Sequence, residues 1–76
     1  MKTKYKFIHF VKAFPVHDPP ILWVCHNNKT GYALGAIFFY GPWKQHVIDF
    51  RENGVFNNQC LLDIADFLSR LNSEKE

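Results

Sequence analysis

Residues 38–50, FFYGPWKQHVIDF, carry apolar side chains at both odd and even positions around a Gly-Pro turn. Successive side chains of a strand point to opposite faces of its sheet, so this hairpin is predicted to be apolar on both faces. Three prolines between positions 15 and 20 predict a loop, because proline cannot donate to a sheet. Runs rich in aromatic and β-branched residues predict four strands, at residues 4–12, 21–26, 32–40 and 43–51.

Two turns are predicted inside this sheet. The NNKTG stretch at 27–31 holds Asn and Gly, which tolerate the left-handed backbone that hairpins need. Gly41 and Pro42 predict a two-residue turn, with the glycine at positive φ. That turn would place Tyr40 directly opposite Trp43 and would fix the pairing of the last two strands.

The clearest periodic element follows the strands and is predicted as a helix over residues 57–71. Asn57 is a suitable N-cap, because its side-chain oxygen can accept from a free amide of the first turn. Residues 72–76 are predicted to fray into solvent. The apolar stripe of this helix is formed by Cys60, Leu61, Ile64, Phe67, Leu68 and Leu71.

The element order predicts an α+β domain, a four-stranded antiparallel meander sheet with one C-terminal α-helix packed on one face. A helix of this length, roughly 22 Å, covers only one face of a small sheet. We expect the helix to cover the face that bears Ile37, Phe39, Ile48 and Phe50. The opposite face, with Phe38, Tyr40, Trp43 and Gln45, is then left as a binding or dimerisation surface.

Length and charge narrow the class of protein. The 76 residues suffice for a single domain, and no apolar run is long enough to span a membrane. The early lysines imitate a signal peptide, but His9 and Lys12 interrupt the apolar run, so a cytoplasmic location is predicted. Positions 1–51 carry seven Lys or Arg and two acidic residues, whereas positions 52–76 carry two and five. The first part is therefore basic and the second acidic.

The chemistry-bearing residues do not predict an enzyme. Cys25 and Cys60 are interpreted as buried free thiols of a cytoplasmic protein, with a single disulfide as the alternative. Cys25 and the adjacent His26 would point to opposite faces of a strand, which prevents direct activation of the thiol. The two Cys and four His lack the spacing of zinc sites, and no nucleotide-binding motif occurs. We therefore expect no catalytic residues, no metal and no cofactor.

Two functions agree with an aromatic face that has basic residues near it. Exposed aromatic side chains anchor protein–protein interfaces, so a non-catalytic protein-binding module is the first prediction. Bases of single-stranded nucleic acid also stack on aromatic side chains, so a nucleic-acid-binding domain is the alternative. Self-association as a homodimer is compatible with either function. The candidate binding residues are Phe38, Tyr40, Trp43, Lys44, Gln45 and His46.

The segments LGAIFFYGPWKQHVIDF and VFNNQCLLDIADFLSRLN resemble a family of small uncharacterised proteins of bacteria, phages and prophages. The family pattern is L-G-x-I-x-W-Y-x-x-W-R-x-Y-x-F, a short gap, then F-S-x-x-C-L-x-D-I-x-x-F. The resemblance covers roughly residues 23–72. It rests on Leu34, Gly35, Ile37, Tyr40, Trp43, Phe56, Cys60, Leu61, Asp63, Ile64 and Phe67.

The chain departs from this pattern at Phe39, Lys44, His46, Ile48 and Asn57. Lys44 replaces an arginine and lacks its planar, bidentate guanidinium group. The resemblance implies a compact domain and a mobile-element setting, in which small proteins often bind and inhibit or regulate a host protein. The family has no established activity, so the resemblance supplies none for this chain.

Overall fold

A computed structural model describes residues 1–14, 20–52 and 54–73. Its strands form one antiparallel sheet in meander order and are followed by a helix, so the predicted α+β architecture is confirmed. The predicted proline-rich loop lies largely outside the described residues. The elements are β1 (Ile8–Lys12), β2 (Trp23–Asn27), β3 (Ala33–Tyr40), β4 (Gln45–Phe50) and α1 (Asn58–Ser73).

Strand β1 is shorter than the predicted strand because the preceding residues turn back on it. The amide of Tyr5 donates to the carbonyl of Ile8 over 2.9 Å, and the amide of Phe10 donates to Thr3 over 2.8 Å. Lys4 thereby pairs with His9 in an isolated antiparallel bridge. The beginning of the chain thus covers part of the edge of β1.

The predicted turn between β2 and β3 is confirmed. The side-chain oxygen of Asn27 accepts from the amides of Lys29 and Thr30, as in an Asx turn. Gly31 has a φ of 79°, the left-handed value that glycine adopts without a steric penalty. The amide of Asn27 also donates to the carbonyl of Tyr32 over 2.9 Å, which closes the hairpin.

The two-residue turn predicted between β3 and β4 is wrong. A single turn of 3-10 helix, Gly41–Trp43, is followed by Lys44, and the amide of Lys44 donates back to Gly41 over 3.0 Å. Tyr40 consequently pairs with Gln45 rather than with Trp43. Hairpin loops of four residues are usually built around such a turn.

The positive φ in this loop also falls on a different residue from the one predicted. Lys44 has a φ of 54°, and Gly41 is not among the residues with positive φ. Pro42 is the second residue of the 3-10 turn, where its fixed φ near −65° suits the first helical positions. The left-handed conformation costs a non-glycine residue roughly 1–2 kcal/mol, so Lys44 is a strained position of this loop.

The sheet contains one irregularity, in β3. Cys25 pairs with Gly35 whereas the next residue, His26, pairs with Ala33, so Leu34 is an extra residue opposite β2. Such a bulge re-aims a side chain. Leu34 is 6% exposed and belongs to the core, although strict alternation along β3 would place it with Phe38 on the opposite face.

The core lies between α1 and the face of the sheet that bears Ile37, as predicted. Ile37 is completely buried, and Ile48 packs against the core. Phe39 and Phe50, predicted under the helix, lie near the margins of this face and are 49% and 46% exposed. The core residues are Ile8, Phe10, Cys25, Leu34, Ile37, Cys60, Ile64, Phe67 and Leu71.

Helix α1 begins as the sequence predicts and ends later. The side-chain oxygen of Asn57 accepts from the amide of Cys60 over 2.8 Å, so Asn57 is the N-cap. Leu61, predicted in the apolar stripe, is 49% exposed. The helix continues to Ser73, so Asn72, predicted to be frayed, is helical.

Asn72 connects the last turn of α1 to the outer edge of β4. Its side-chain oxygen accepts from the amide of His46 over 2.6 Å, and its Nδ2 donates to the carbonyl of His46 over 3.3 Å. The side-chain amide therefore occupies the position of a neighbouring strand at this edge. An edge strand with paired backbone groups is less prone to pair with another chain.

A second polar contact connects the start of the chain to α1. The Tyr5 hydroxyl donates to the Asp66 carboxylate over 2.8 Å, and Arg70 Nε donates to the same oxygen over 2.9 Å. Burial and the bond to Asp66 raise the pKa of Tyr5 to about 12. The hydrogen bonds from Tyr5 and Arg70 hold the pKa of Asp66 below its ordinary value of 3.8.

Replacing Tyr5→Phe is expected to raise the Asp66 pKa toward 3.8, because the carboxylate loses its principal donor. In the native protein the Asp66 contribution to stability is present above pH 3.8 and disappears as the pH falls through the lowered pKa. An NMR titration of the side-chain carboxyl carbons measures the change directly. Tyr32→Phe, at a 73% exposed ring, is the control and should leave the Asp66 titration unchanged. An unchanged Asp66 titration in Tyr5→Phe would contradict the assignment.

Candidate binding surface

The face of the sheet opposite α1 is defined by the strand register. Rows of paired residues cross it from β1 to β4, and alternation along each strand places their side chains on one side. We refer to these strand positions as the open face. They are His9, Val11, Val24, His26, Ala33, Ala36, Phe38, Tyr40, Gln45, Val47 and Asp49.

Aromatic rings form a continuous row at one end of the open face. Phe38 and Tyr40 meet edge to face with ring centroids 6.5 Å apart, and Tyr40 meets Trp43 in the same way at 5.1 Å. Perpendicular ring contacts of this kind add stability beyond the area they bury. The row therefore holds Trp43 against the hairpin without a cross-strand pairing.

This row remains accessible to solvent. Trp43 is 66% exposed and Tyr40 is 37% exposed, while Val11, farther across the sheet, is 47% exposed. Phe38 and Val47 are half-buried and line a shallow hollow of about 260 Å³ beside the two exposed rings. Contiguous exposed apolar patches, unlike single exposed residues, are candidates for contact with other molecules.

Charged side chains are sparse on the open face. Among its strand positions Asp49 is the one carboxylate, and none is Lys or Arg. The nearest cations along the last strand are Lys44 before β4 and Arg51 after it. The basic character of the first part of the sequence is therefore not concentrated on the aromatic row.

The predicted site residues divide between two environments. Phe38, Tyr40 and Gln45 share the open face, and Trp43 joins them through its contact with Tyr40. Lys44 lies in the loop before β4 and is exposed. A further predicted residue does not belong to this surface, because His46 lies on the helix side.

The contacts of His46 are with the helix face. Its Nδ1 lies 3.0 Å from the side-chain oxygen of Asn72, and its ring meets Phe39 edge to face at 5.4 Å. His46 thus helps to hold α1 on the sheet. We assign it a structural role.

Sequence reasoning missed a histidine pair at the other end of the open face. His9 and His26 are cross-strand partners, and their rings stack with centroids 5.5 Å apart and planes 17° apart. Alternation places His9 on the same face as Val11, but the pairing of β1 with β2 is not encoded locally. The proline-rich segment between these strands gives no turn geometry from which a register follows.

The thiols lie on the other side of the sheet from this pair. Cys25 and Cys60 are both buried and free, as predicted. Burial, followed by the proximity of Cys60, raises the pKa of the Cys25 thiol to about 12. A thiol with such a pKa is not a nucleophile at neutral pH, because the thiolate is the reactive form.

Comparisons with family models, with curated proteins and with solved structures give no match to this chain. In the described part of the chain, α1 is neither long nor apolar enough to cross a bilayer.

Proposed function

We propose that this protein is a non-catalytic binding module that recognises another protein through the aromatic row on its open face. The observation that carries the proposal is the series Phe38, Tyr40 and Trp43, held together by edge-to-face contacts, in which Tyr40 and Trp43 are exposed and Phe38 is half-buried. Tyr and Trp are the residue types most enriched at the centres of protein interfaces. Pre-ordered rings lose little conformational freedom on binding.

The charge distribution favours a protein partner over nucleic acid. Affinity for nucleic acid derives largely from Lys and Arg that neutralise phosphates beside the stacked bases. The open-face strand positions carry Asp49 and no Lys or Arg, so bases stacked on these rings would bring phosphates toward a carboxylate. Gln45, beside Tyr40, instead offers the amide donor and acceptor that peptide groups can use.

The setting proposed for this module is the cytoplasm, where it would bind and inhibit or regulate a host protein. The resemblance to small phage and prophage proteins supports the mobile-element setting. The buried free thiols support a reducing compartment, because disulfides persist in oxidising ones.

The test replaces Trp43→Ala and measures capture of proteins from a lysate of the native host. Trp43 is 66% exposed, so the variant should fold normally. The amount of partner protein that it captures should be at least tenfold lower than the amount captured by the native protein. Leu62→Ala is the matched control, because Leu62 is 61% exposed on α1. The control should capture the partner as well as the native protein does.

Salt and nuclease distinguish the two classes of partner. A protein partner should remain bound at moderate salt and after nuclease treatment. Labelled single- and double-stranded DNA and RNA, titrated at two salt concentrations, should show no tight complex, whereas a nucleic-acid binder loses affinity steeply with salt. Equal capture by Trp43→Ala, or a steep salt dependence with nucleic acid, would overturn the proposal.

A further inference from the structure

The histidine pair on the open face has a geometry that the aromatic row does not explain. His9 on β1 and His26 on β2 are direct cross-strand partners, and their rings are nearly parallel. Both side chains are only partly buried. Each ring is also held by a hydrogen bond at Nδ1.

The hydrogen bond of His9 fixes which of its nitrogens carries the proton. Asn28 Nδ2 donates to the carbonyl of Tyr5 over 2.9 Å and to that of Lys6 over 3.1 Å. The amide orientation is therefore settled, and Asn28 presents its oxygen to His9 Nδ1 at 2.6 Å. Because an amide oxygen only accepts, Nδ1 of His9 carries hydrogen, and in the neutral ring the lone pair is then on Nε2.

The same tautomer follows for His26. Its Nδ1 lies 3.0 Å from the carbonyl oxygen of Gly31, which also accepts and cannot donate. Asn28 and Gly31 both belong to the turn between β2 and β3, so both Nδ1 atoms are hydrogen-bonded to this turn. In both rings Nε2 is therefore the nitrogen that this hydrogen bonding leaves unused.

We propose that His9 and His26 form a chelating site for a divalent transition-metal ion such as Zn²⁺ or Cu²⁺, with Nε2 of each ring as ligand. A ligating histidine characteristically donates its other ring N–H to an oxygen, which orients the ring and raises its basicity. Both rings are held in this way before any metal arrives. Neutral imidazole is a favoured ligand of these ions.

The geometry sets one requirement on the pair. Metal–nitrogen bonds of about 2.0–2.1 Å put two ligand nitrogens roughly 3.3 Å apart. The rings, with centroids 5.5 Å apart, must therefore tilt toward each other at their Nε2 edges. In the described part of the chain no third His, Cys, Asp or Glu completes the group, so water occupies the remaining positions.

Lys4 opposes the metal. It pairs with His9 across the edge of β1, so its side chain lies on the same side of the ribbon. An ammonium group on the same side as the two histidines repels a divalent cation, which predicts modest rather than tight affinity. Its removal therefore provides a variant expected to gain affinity.

The experiment titrates the full chain with Zn²⁺ alone at pH 7.5 and follows the histidine ring signals by NMR. We expect the His9 and His26 signals to shift in a single step that saturates at one equivalent. His9→Gln and His26→Gln should each weaken binding at least tenfold, since each leaves one ligand. The glutamine at position 9 keeps an amide donor for Asn28, and circular dichroism checks that each variant is folded.

Two further variants make the site assignment specific. His46→Gln is the control, because the Nδ1 of His46 also contacts an amide oxygen but its ring has no stacked histidine beside it. This variant should leave the midpoint of the Zn²⁺ titration unchanged. Lys4→Gln should tighten binding several-fold. The proposal is overturned if His9→Gln and His26→Gln bind as tightly as the native chain. It is equally overturned if His46→Gln loses the same affinity as they do.

Discussion

Replacing Phe67→Ala is expected to remove about 3–5 kcal/mol from the free energy of unfolding, the range for truncating a buried aromatic side chain. Phe67 has no exposed surface. Its ring stacks on Phe10 with centroids 3.9 Å apart and planes 3° apart, and it meets Trp23 edge to face at 5.2 Å. The substitution therefore opens a cavity where α1 contacts β1 and β2.

The effect should be large relative to the total stability. A chain of 76 residues has roughly 4–11 kcal/mol of stability at the usual value per residue. Urea unfolding followed by tryptophan fluorescence measures the loss, with Trp23 as a reporter beside the cavity. Leu62→Ala on the exposed side of α1 should change stability by less than about 0.5 kcal/mol. A Phe67→Ala variant within about 1 kcal/mol of the native protein would show that this contact does not hold the layers together.

Between Gly35 and Phe50 the predicted faces of the last hairpin are correct although its predicted register is not. A two-residue turn would pair Tyr40 with Trp43, whereas the longer loop pairs Tyr40 with Gln45. The pairing thus moves by two residues, and side chains alternate with a period of two. Every paired residue keeps its face, so Ile37 lies under the helix and Phe38 on the open face.

Features that depend on distant parts of the chain could not be predicted in the same way. Leu34 enters the core because of a bulge against β2, a local departure that alternation cannot express. Asn72 belongs to a polar stretch of the sequence, and its structural role depends on a contact with the distant edge of β4. The His9–His26 pair required the register between β1 and β2, which the intervening segment does not specify.

The candidate site was predictable in its aromatic part only. Phe38, Tyr40 and Trp43 are local to one hairpin, so composition and alternation were sufficient to place them together. Which charged residues lie on the same face depends on how all four strands pair. Only the complete register shows that no Lys or Arg occupies a strand position of the open face, which supports the proposal of a protein partner.

The second large effect is expected from Gly35→Val, at a position where the sheet has no room for a side chain. A Cβ on Gly35 would lie 3.1 Å from the carbonyl oxygen of Asp49 and 3.1 Å from the Ile48 side chain. The oxygen belongs to the backbone of β4 and cannot rotate away. Overpacking costs about 1–3 kcal/mol, and we expect the upper end, about 3 kcal/mol, because valine adds two methyl groups beyond Cβ.

Two other glycines separate this clash from backbone strain. A Cβ at Gly31 meets nothing within 4 Å, but its φ of +79° makes Gly31→Ala cost roughly 1–2 kcal/mol through strain alone. Gly41 has neither a close neighbour nor a positive φ, so Gly41→Val should cost well under 1 kcal/mol. The urea midpoint should therefore be highest for Gly41→Val, intermediate for Gly31→Ala and lowest for Gly35→Val. If Gly35→Val is as stable as Gly41→Val, β3 and β4 do not approach as closely as 3.1 Å, and the pairing of Gly35 with Phe50 is wrong.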